Sequence, residues 1–270
     1  MRCPNNRMNK RTKLIICLIL ILLLITAIGV CLTVIFRAPP SGDFEPAVKT
    51  ERTAEPDAPG TPRTDGGGID AYTDRMVDFA EWREVNGDIY AWIYIPGTRI
   101  NYPIVQSEDD NAYYLNRDIY RNSAVAGSIF TENRNTTDFT DYNTLIYGHN
   151  MKNGTMFAET LNYRDRDFFD GHGEVYIYTP DRAYMYAVFA AYTNDDSHVL
   201  AANDFSSGEG FLEYIGAVMS RGSGNFGTET EFTAEDRIIT LSTCTSGGKQ
   251  RYLTQAVLRK VYAYEEQGAD

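Results

Sequence analysis

Cysteine and histidine are scarce in this chain, and basic residues fall well short of acidic ones. Its 270 residues hold 4 Cys, 3 His and 25 Lys+Arg against 37 Asp+Glu, a formal charge of −12. Five of the bases (Arg2, Arg7, Lys10, Arg11 and Lys13) crowd into residues 1–13 with no acid among them, so the rest of the chain carries −17. A body that acidic repels phosphate backbones, which excludes a nucleic-acid partner. No His/Cys cluster has metal-ligand spacing and no Gly-rich loop is built to cradle phosphate, so neither a metal nor another cofactor is implied. Internal repeats are missing as well. Hydrophobic residues make up 43% and aromatics 13%, including 19 Tyr, which excludes wholesale disorder.

One charge-free run stands out. Leu14 to Phe36 is 23 residues without a charged side chain, or about 35 Å of helix, enough to cross a bilayer core. A cleaved signal peptide would have a shorter apolar core and a small-x-small exit. This run ends in Ile35-Phe36-Arg37, so a retained single-pass anchor is expected. The basic flank keeps residues 1–13 cytoplasmic and sends the C-terminal body outside. Residues 37–69, rich in Pro, Gly, Thr and Glu, read as a linker. As a coil it would span about 30 Å, and fully extended about 100 Å. The folded domain is expected over residues 70–264, with a short tail at 265–270.

Within that domain the pattern alternates between short strands and turns. A helix is expected over 71–85, strands over 89–95 and 100–105, and a short helix over 109–116. Strands follow at 126–130 and 144–147, then one or two short helices over 154–170. A hairpin of strands 174–179 and 184–192 turns at Pro180-Asp181, a helix covers 211–219, and strands 237–242 and 252–264 close the chain. About eight strands with few helices favour a mainly β domain, a closed barrel or a sandwich, over a parallel α/β sheet. Glu108-Asp109-Asp110 is explained by an acidic helix start without invoking a cation.

Cys3 lies in the basic tail and Cys17 and Cys31 in the apolar run, so Cys244 is the lone cysteine of the body. Such a residue is a buried hydrophobe, an intermolecular link or a reactive thiol. It ends the strand Arg237-Ile-Ile-Thr-Leu-Ser-Thr-Cys244, and Arg251 opens the next. A cation beside a thiol favours the thiolate, and a donor there can meet an oxyanion. Of the three His, His172 and His198 sit in polar, acidic stretches and read as surface residues. His149 follows a strand closed by Gly148, where functional loops begin.

Taken together, Thr240-Leu-Ser-Thr-Cys244, the downstream Arg251 and Tyr147-Gly-His149 resemble the sortases, specifically class B. The likeness extends to Trp92-Ile-Tyr-Ile-Pro-Gly97, Asn101-Tyr-Pro-Ile-Val105, Gly127-Ser-Ile-Phe130, Met156-Phe157 and Phe168-Phe169, and covers roughly 72–262. It implies a closed eight-stranded sortase-like β-barrel. It also implies a cysteine transpeptidase on a Gram-positive surface, with Cys244 as nucleophile, His149 as general acid/base and Arg251 as oxyanion or substrate clamp.

The implied partners are secreted proteins bearing a C-terminal sorting signal, of a type beginning Asn-Pro, and an amine of the peptidoglycan precursor. By the same resemblance Asn111, Leu115, Tyr147 and Ser242 line the substrate groove. The segment from Cys244 to Arg251 is shorter than is usual in class B. A cysteine hydrolase of the same geometry and a non-catalytic tethered barrel are the competing readings.

Overall fold

The computed structural model describes residues 77–227, 231–245 and 249–264. The basic tail, the apolar run 14–36, the linker 37–69, the first residues of the expected domain and the tail 265–270 lie outside the described residues.

Nine strands form one sheet. They are β1 (Ile89–Tyr94), β2 (Asn101–Val105), β3 (Ile129–Thr131), β4 (Asn143–Tyr147), β5 (Glu174–Tyr178), β6 (Arg182–Asn194), β7 (Asn225–Phe226), β8 (Ile238–Cys244) and β9 (Arg251–Ala263). The order β5-β1-β2-β3-β4-β8-β9-β6 closes on itself through β5–β6, leaving the two-residue β7 as an appendage on β6. The result is the closed eight-stranded barrel that the sortase resemblance implies, which decides between the barrel and the sandwich left open by the strand count. Among the described residues only β2–β3 and β4–β8 pair in parallel; both need crossovers, and those crossovers carry the extra structure.

Alternation along the strands explains the two packed faces. Ile146, Ile239, Leu241 and Ala256 join the barrel core with Ile93, Ile104 and Tyr186, while Leu145, Ile238, Leu253 and Val257 point the other way. A strand buried on both faces needs a cover outside as well. That cover is the insertion between β6 and β8. Its main helix, Gly208–Met219, is capped by the Ser207 hydroxyl and buries Phe211, Tyr214, Ile215 and Val218. Their i, i+3, i+4, i+7 spacing forms one stripe. Gln255, fully buried, ties the helix to the sheet: its amide donates to Tyr214 Oη at 2.6 Å and to Thr240 Oγ1 at 2.8 Å, and its carbonyl oxygen accepts from Tyr192.

Two expectations need correction, and one strand carries an irregularity. The helix expected over 109–116 is a single 3-10 turn, Tyr113–Asn116, because the Asp110 carboxylate accepts the Ala112 N–H and makes a turn of the preceding residues. The strand expected from 126 begins at Ile129, since Gly127 takes a left-handed φ of 57°. In β9, Tyr186 pairs with Leu258 and Met185 with Lys260, so Arg259 sits in a bulge. Arg251 and Arg259 stand eight residues apart on one strand, and simple alternation would put them on one face; the bulge breaks that alternation.

Candidate active site

The parallel pairing of β4 with β8 sets Tyr147 beside Ser242. The contact continues past the strand ends. The Gly148 N–H donates to the Ser242 carbonyl at 3.2 Å, and the Gly148 carbonyl accepts from Thr243 Oγ1 at 2.7 Å. Two residues after Gly148, Asn150 Nδ2 donates to the Cys244 carbonyl at 3.0 Å. These bonds on either side of it fix His149 beside the end of β8. Gly148 is required there by space: a Cβ would come within 2.6 Å of Ile129 Cδ1 and of the Phe157 ring.

Across the antiparallel β8–β9 pair, Cys244 lies opposite Arg251. Arg251 Nη1 approaches Cys244 Sγ to 2.6 Å, and both side chains are partly exposed. Beyond the strand ends, the Thr245 N–H donates to the Gln250 carbonyl and holds the neck of the connecting loop. The His149 imidazole is turned to the opposite wall, where Nε2 lies 2.7 Å from the Leu115 carbonyl. A carbonyl only accepts, so Nε2 carries the hydrogen in this arrangement. That carbonyl is itself wedged by Gly127, whose Cβ, if present, would meet Leu115 O at 2.5 Å. The Leu115 side chain is 45% exposed at the rim.

One step further back, Tyr147 and Asn111 converge on a residue that the sequence did not single out. The Tyr147 hydroxyl donates to Glu132 Oε2 at 2.8 Å and Asn111 Nδ2 to the same oxygen at 2.7 Å. Burial, followed by the charge of Glu132, pushes the Tyr147 phenol well above its ordinary range, so it stays protonated and donates. Asn111 Oδ1 accepts the Asn133 N–H at 2.8 Å. Ser242 is buried on the face shared by Tyr147 and Cys244.

All seven residues named from the sequence thus gather at one end of the barrel: Cys244, Arg251 and His149 at the strand ends, with Tyr147, Ser242, Asn111 and Leu115 beside them. His198, expected as a surface residue, is instead bound into this cluster. It caps the helix Val199–Ala202 and brings Nε2 to 3.0 Å from Glu132 Oε2. His172 is likewise packed rather than free, stacked on Phe168 at 3.9 Å between ring centroids. The sequence hint for Glu132 was slight: a lone acid directly after the buried Ile129-Phe130-Thr131. Asn150 and Thr243, which lock the two loops together, had no distinguishing sign beyond standing next to His149 and Cys244.

Chemically, the arrangement offers a thiol, a guanidinium on it and an imidazole just past the end of the neighbouring strand, with half-buried polar side chains beside them. The sortase domain model matches residues 93–259. The chain is 37% identical to sortase B of Listeria monocytogenes over 167 residues, 62% of this chain and 67% of that protein. Its structure is similar to that of sortase B from Bacillus anthracis, with TM-score 0.61 and 36% identity over 67% of this chain and 82% of that one. It is similar also to a substrate complex of Staphylococcus aureus sortase B, with TM-score 0.62 and 30% identity over 67% of this chain and 84% of that one.

Proposed function

Because the chain belongs to the sortase family, as a class B member and hence a cysteine transpeptidase, we propose that it cuts a C-terminal sorting signal of secreted proteins and joins the new carboxyl end to an amine of the cell-wall precursor. The observation that carries this reading is Arg251 Nη1 at 2.6 Å from Cys244 Sγ, with His149 held on the adjoining strand end.

In the proposed sequence, the Cys244 thiolate attacks the carbonyl carbon of the scissile amide. The C–S bond forms, and the electron pair of the carbonyl moves to oxygen. Arg251, already at the sulfur, is placed to hold that oxyanion with one limb of its fork. Collapse expels the amine, which takes a proton from the imidazolium of His149 and leaves a thioester. His149 then accepts a proton from the incoming amine as it attacks, and the thiolate departs. To reach the leaving nitrogen, the imidazole exchanges its bond to the Leu115 carbonyl for one to substrate. A substrate strand arriving along this wall would supply that exchange.

The groove residues support a signal beginning Asn-Pro: Asn111 and Tyr147 offer hydrogen bonds suited to a carboxamide, and Leu115 an apolar rim. The 23-residue apolar run with its basic flank supports a single-pass anchor, an outward-facing domain and a 37–69 tether. The test is product analysis after incubation with peptides carrying Asn-Pro or Leu-Pro signals, with and without an added amine. Amide product that grows with amine concentration at the expense of free acid is the expected result. Free acid alone, whatever the amine, would make the protein a cysteine hydrolase, and no cleavage at all would sink the proposal.

A further inference from the structure

Glu132 follows the last residue of β3 and is 2% exposed, yet it is a carboxylic acid. Its backbone is clamped on both sides: the N–H donates to the Leu145 carbonyl at 3.0 Å, and its carbonyl accepts from Gln106 Nε2 at 3.0 Å. Its Oε2 gathers three side chains from separate parts of the fold. These are Asn111 at 2.7 Å from the β2–β3 crossover, Tyr147 at 2.8 Å from the end of β4, and His198 at 3.0 Å from the β6–β8 insertion. Among the described residues, Oε1 faces Arg134 Nε at 3.9 Å. An oxygen that receives three donors acts as an acceptor alone, as a carboxylate does. The His198 tautomer agrees, since Nδ1 receives the Ala201 N–H at 3.3 Å and Nε2 is left to donate.

We propose that Glu132 is a positioning residue that sets the hydrogen-bond polarity of the substrate groove, and through it the preference for a carboxamide side chain at the head of the sorting signal. The proposal rests on the sorting-signal reading above. Tyr147 has one hydroxyl hydrogen, and Glu132 takes it, so the phenol oxygen can only accept; His198 Nε2 stands 3.5 Å from it but lies closer to Glu132 Oε2, at 3.0 Å, which leaves the phenol a lone pair for substrate. Asn111 has its oxygen committed to Asn133 and one N–H committed to Glu132, so what remains is one N–H donor. Both side chains are half-buried. Because they share one oxygen, the two groups lie within about 5.5 Å of each other. One donor and one acceptor at that separation match the C=O and NH₂ of a carboxamide. A carboxylate would meet the Tyr147 acceptor unfavourably, and an alkyl side chain would leave both groups unpaired.

Replacing Glu132 by Gln keeps the shape and reverses the logic. A carboxamide presents its own N–H₂ to a ring of donors, and Tyr147 turns to accept from it, leaving the phenol a donor toward the groove. The experiment measures binding of fluorescent signal peptides, identical except for Asn, Asp or Leu at the first position, to the full-length Cys244→Ala chain with and without Glu132→Gln or Glu132→Asp. The reference is expected to bind the Asn peptide at least ten-fold tighter than the Leu peptide. Glu132→Gln should weaken the Asn peptide by about 10- to 100-fold and bring the Asn:Leu ratio to within about three-fold.

Glu132→Asp, a shorter acceptor that cannot reach all three donors, should fall between the two, and it decides the question alone if the Gln variant does not fold. On the chain that retains Cys244, alkylation of the thiol by iodoacetamide should change less than two-fold in the same variants. An unchanged Asn:Leu ratio in whichever variants fold would overturn the assignment while leaving the sorting-signal reading intact. An equal fall in alkylation would make Glu132 a general support and overturn it too. If the reference binds no signal peptide, the functional reading fails and this inference with it.

Discussion

Replacing Arg251 by Ala removes the cation nearest the nucleophile without touching the barrel core, because the guanidinium projects from the first residue of β9. Two unit charges about 4 Å apart at the effective dielectric of a protein surface interact by about 4 kcal/mol. Arg251 is partly exposed, so solvent screening takes some of this away. What is left matches the ~2.7–4 kcal/mol measured for loss of one oxyanion donor, and kcat/KM for a signal peptide should fall by about 10²- to 10³-fold. The loss should fall on kcat, since the oxyanion exists only in the transition state and intermediate. Arg251→Lys should recover only part of it, because an ammonium lacks the planar fork that could hold sulfur and oxyanion together. Arg259, exposed in the β9 bulge, serves as the control, and Arg259→Ala should cost less than about two-fold. Steady-state cleavage of a fluorogenic signal peptide, with circular dichroism to verify folding, gives the numbers. Full activity in Arg251→Ala, or loss in Arg259→Ala instead, would refute the reasoning.

Gly148→Ala forces a Cβ to within 2.6 Å of Ile129 and Phe157; a loss of about 1–3 kcal/mol in chemical denaturation is expected, with a fall in turnover as the backbone carrying His149 shifts. Gln255→Ala strips Tyr214 and Thr240 of a common partner beneath the helix Gly208–Met219, and should cost about 2–4 kcal/mol in the same measurement. The pH dependence follows from the tyrosines. Burial raises the phenols of Tyr90, Tyr186 and Tyr252 above their ordinary value of 10, Tyr252 to about 12. Their stabilising effect is complete below pH 10, where neither state is ionised. It is lost as pH rises through the folded values, because the unfolded chain gives up those protons first. Melting temperature should therefore hold on the neutral side and drop progressively above pH 10; a flat profile to pH 12 would contradict the burial of these rings.

Much of the barrel was legible because its strands obey a simple period. Ile89 to Ile95 and Ile238 to Leu241 are apolar on both faces, and the turns between strands carry Pro96-Gly97 and Pro180-Asp181. The amphipathic stripe of Phe211, Tyr214, Ile215 and Val218 announced the covering helix. Cys244 and Arg251 were legible because a strand-loop-strand places the ends opposite each other whatever the loop does. What escaped depends on contacts between distant segments. Glu132 gains its meaning only when the β2–β3 crossover, the end of β4 and the β6–β8 insertion converge on one oxygen, and residues 111, 147 and 198 share no local pattern. His198 looked like a surface residue because its neighbours Asp195-Asp196-Ser197 are polar, and nothing local reveals that its ring turns inward. The bulge at Arg259 arises from the pairing of β9 with β6, which no reading of β9 alone contains.

The most direct measurement is the mass of the protein after rapid mixing with a signal peptide and acid quenching. A covalent adduct should appear, equal to the N-terminal part of the peptide up to its scissile bond, joined to Cys244 as a thioester that hydroxylamine releases. Cys244→Ala should show none, and His149→Ala should accumulate none while remaining folded. Cleavage that proceeds in the Cys244→Ala chain, or peptide that turns over without any adduct at this thiol, would contradict the assignment of Cys244 as the nucleophile of a transpeptidase.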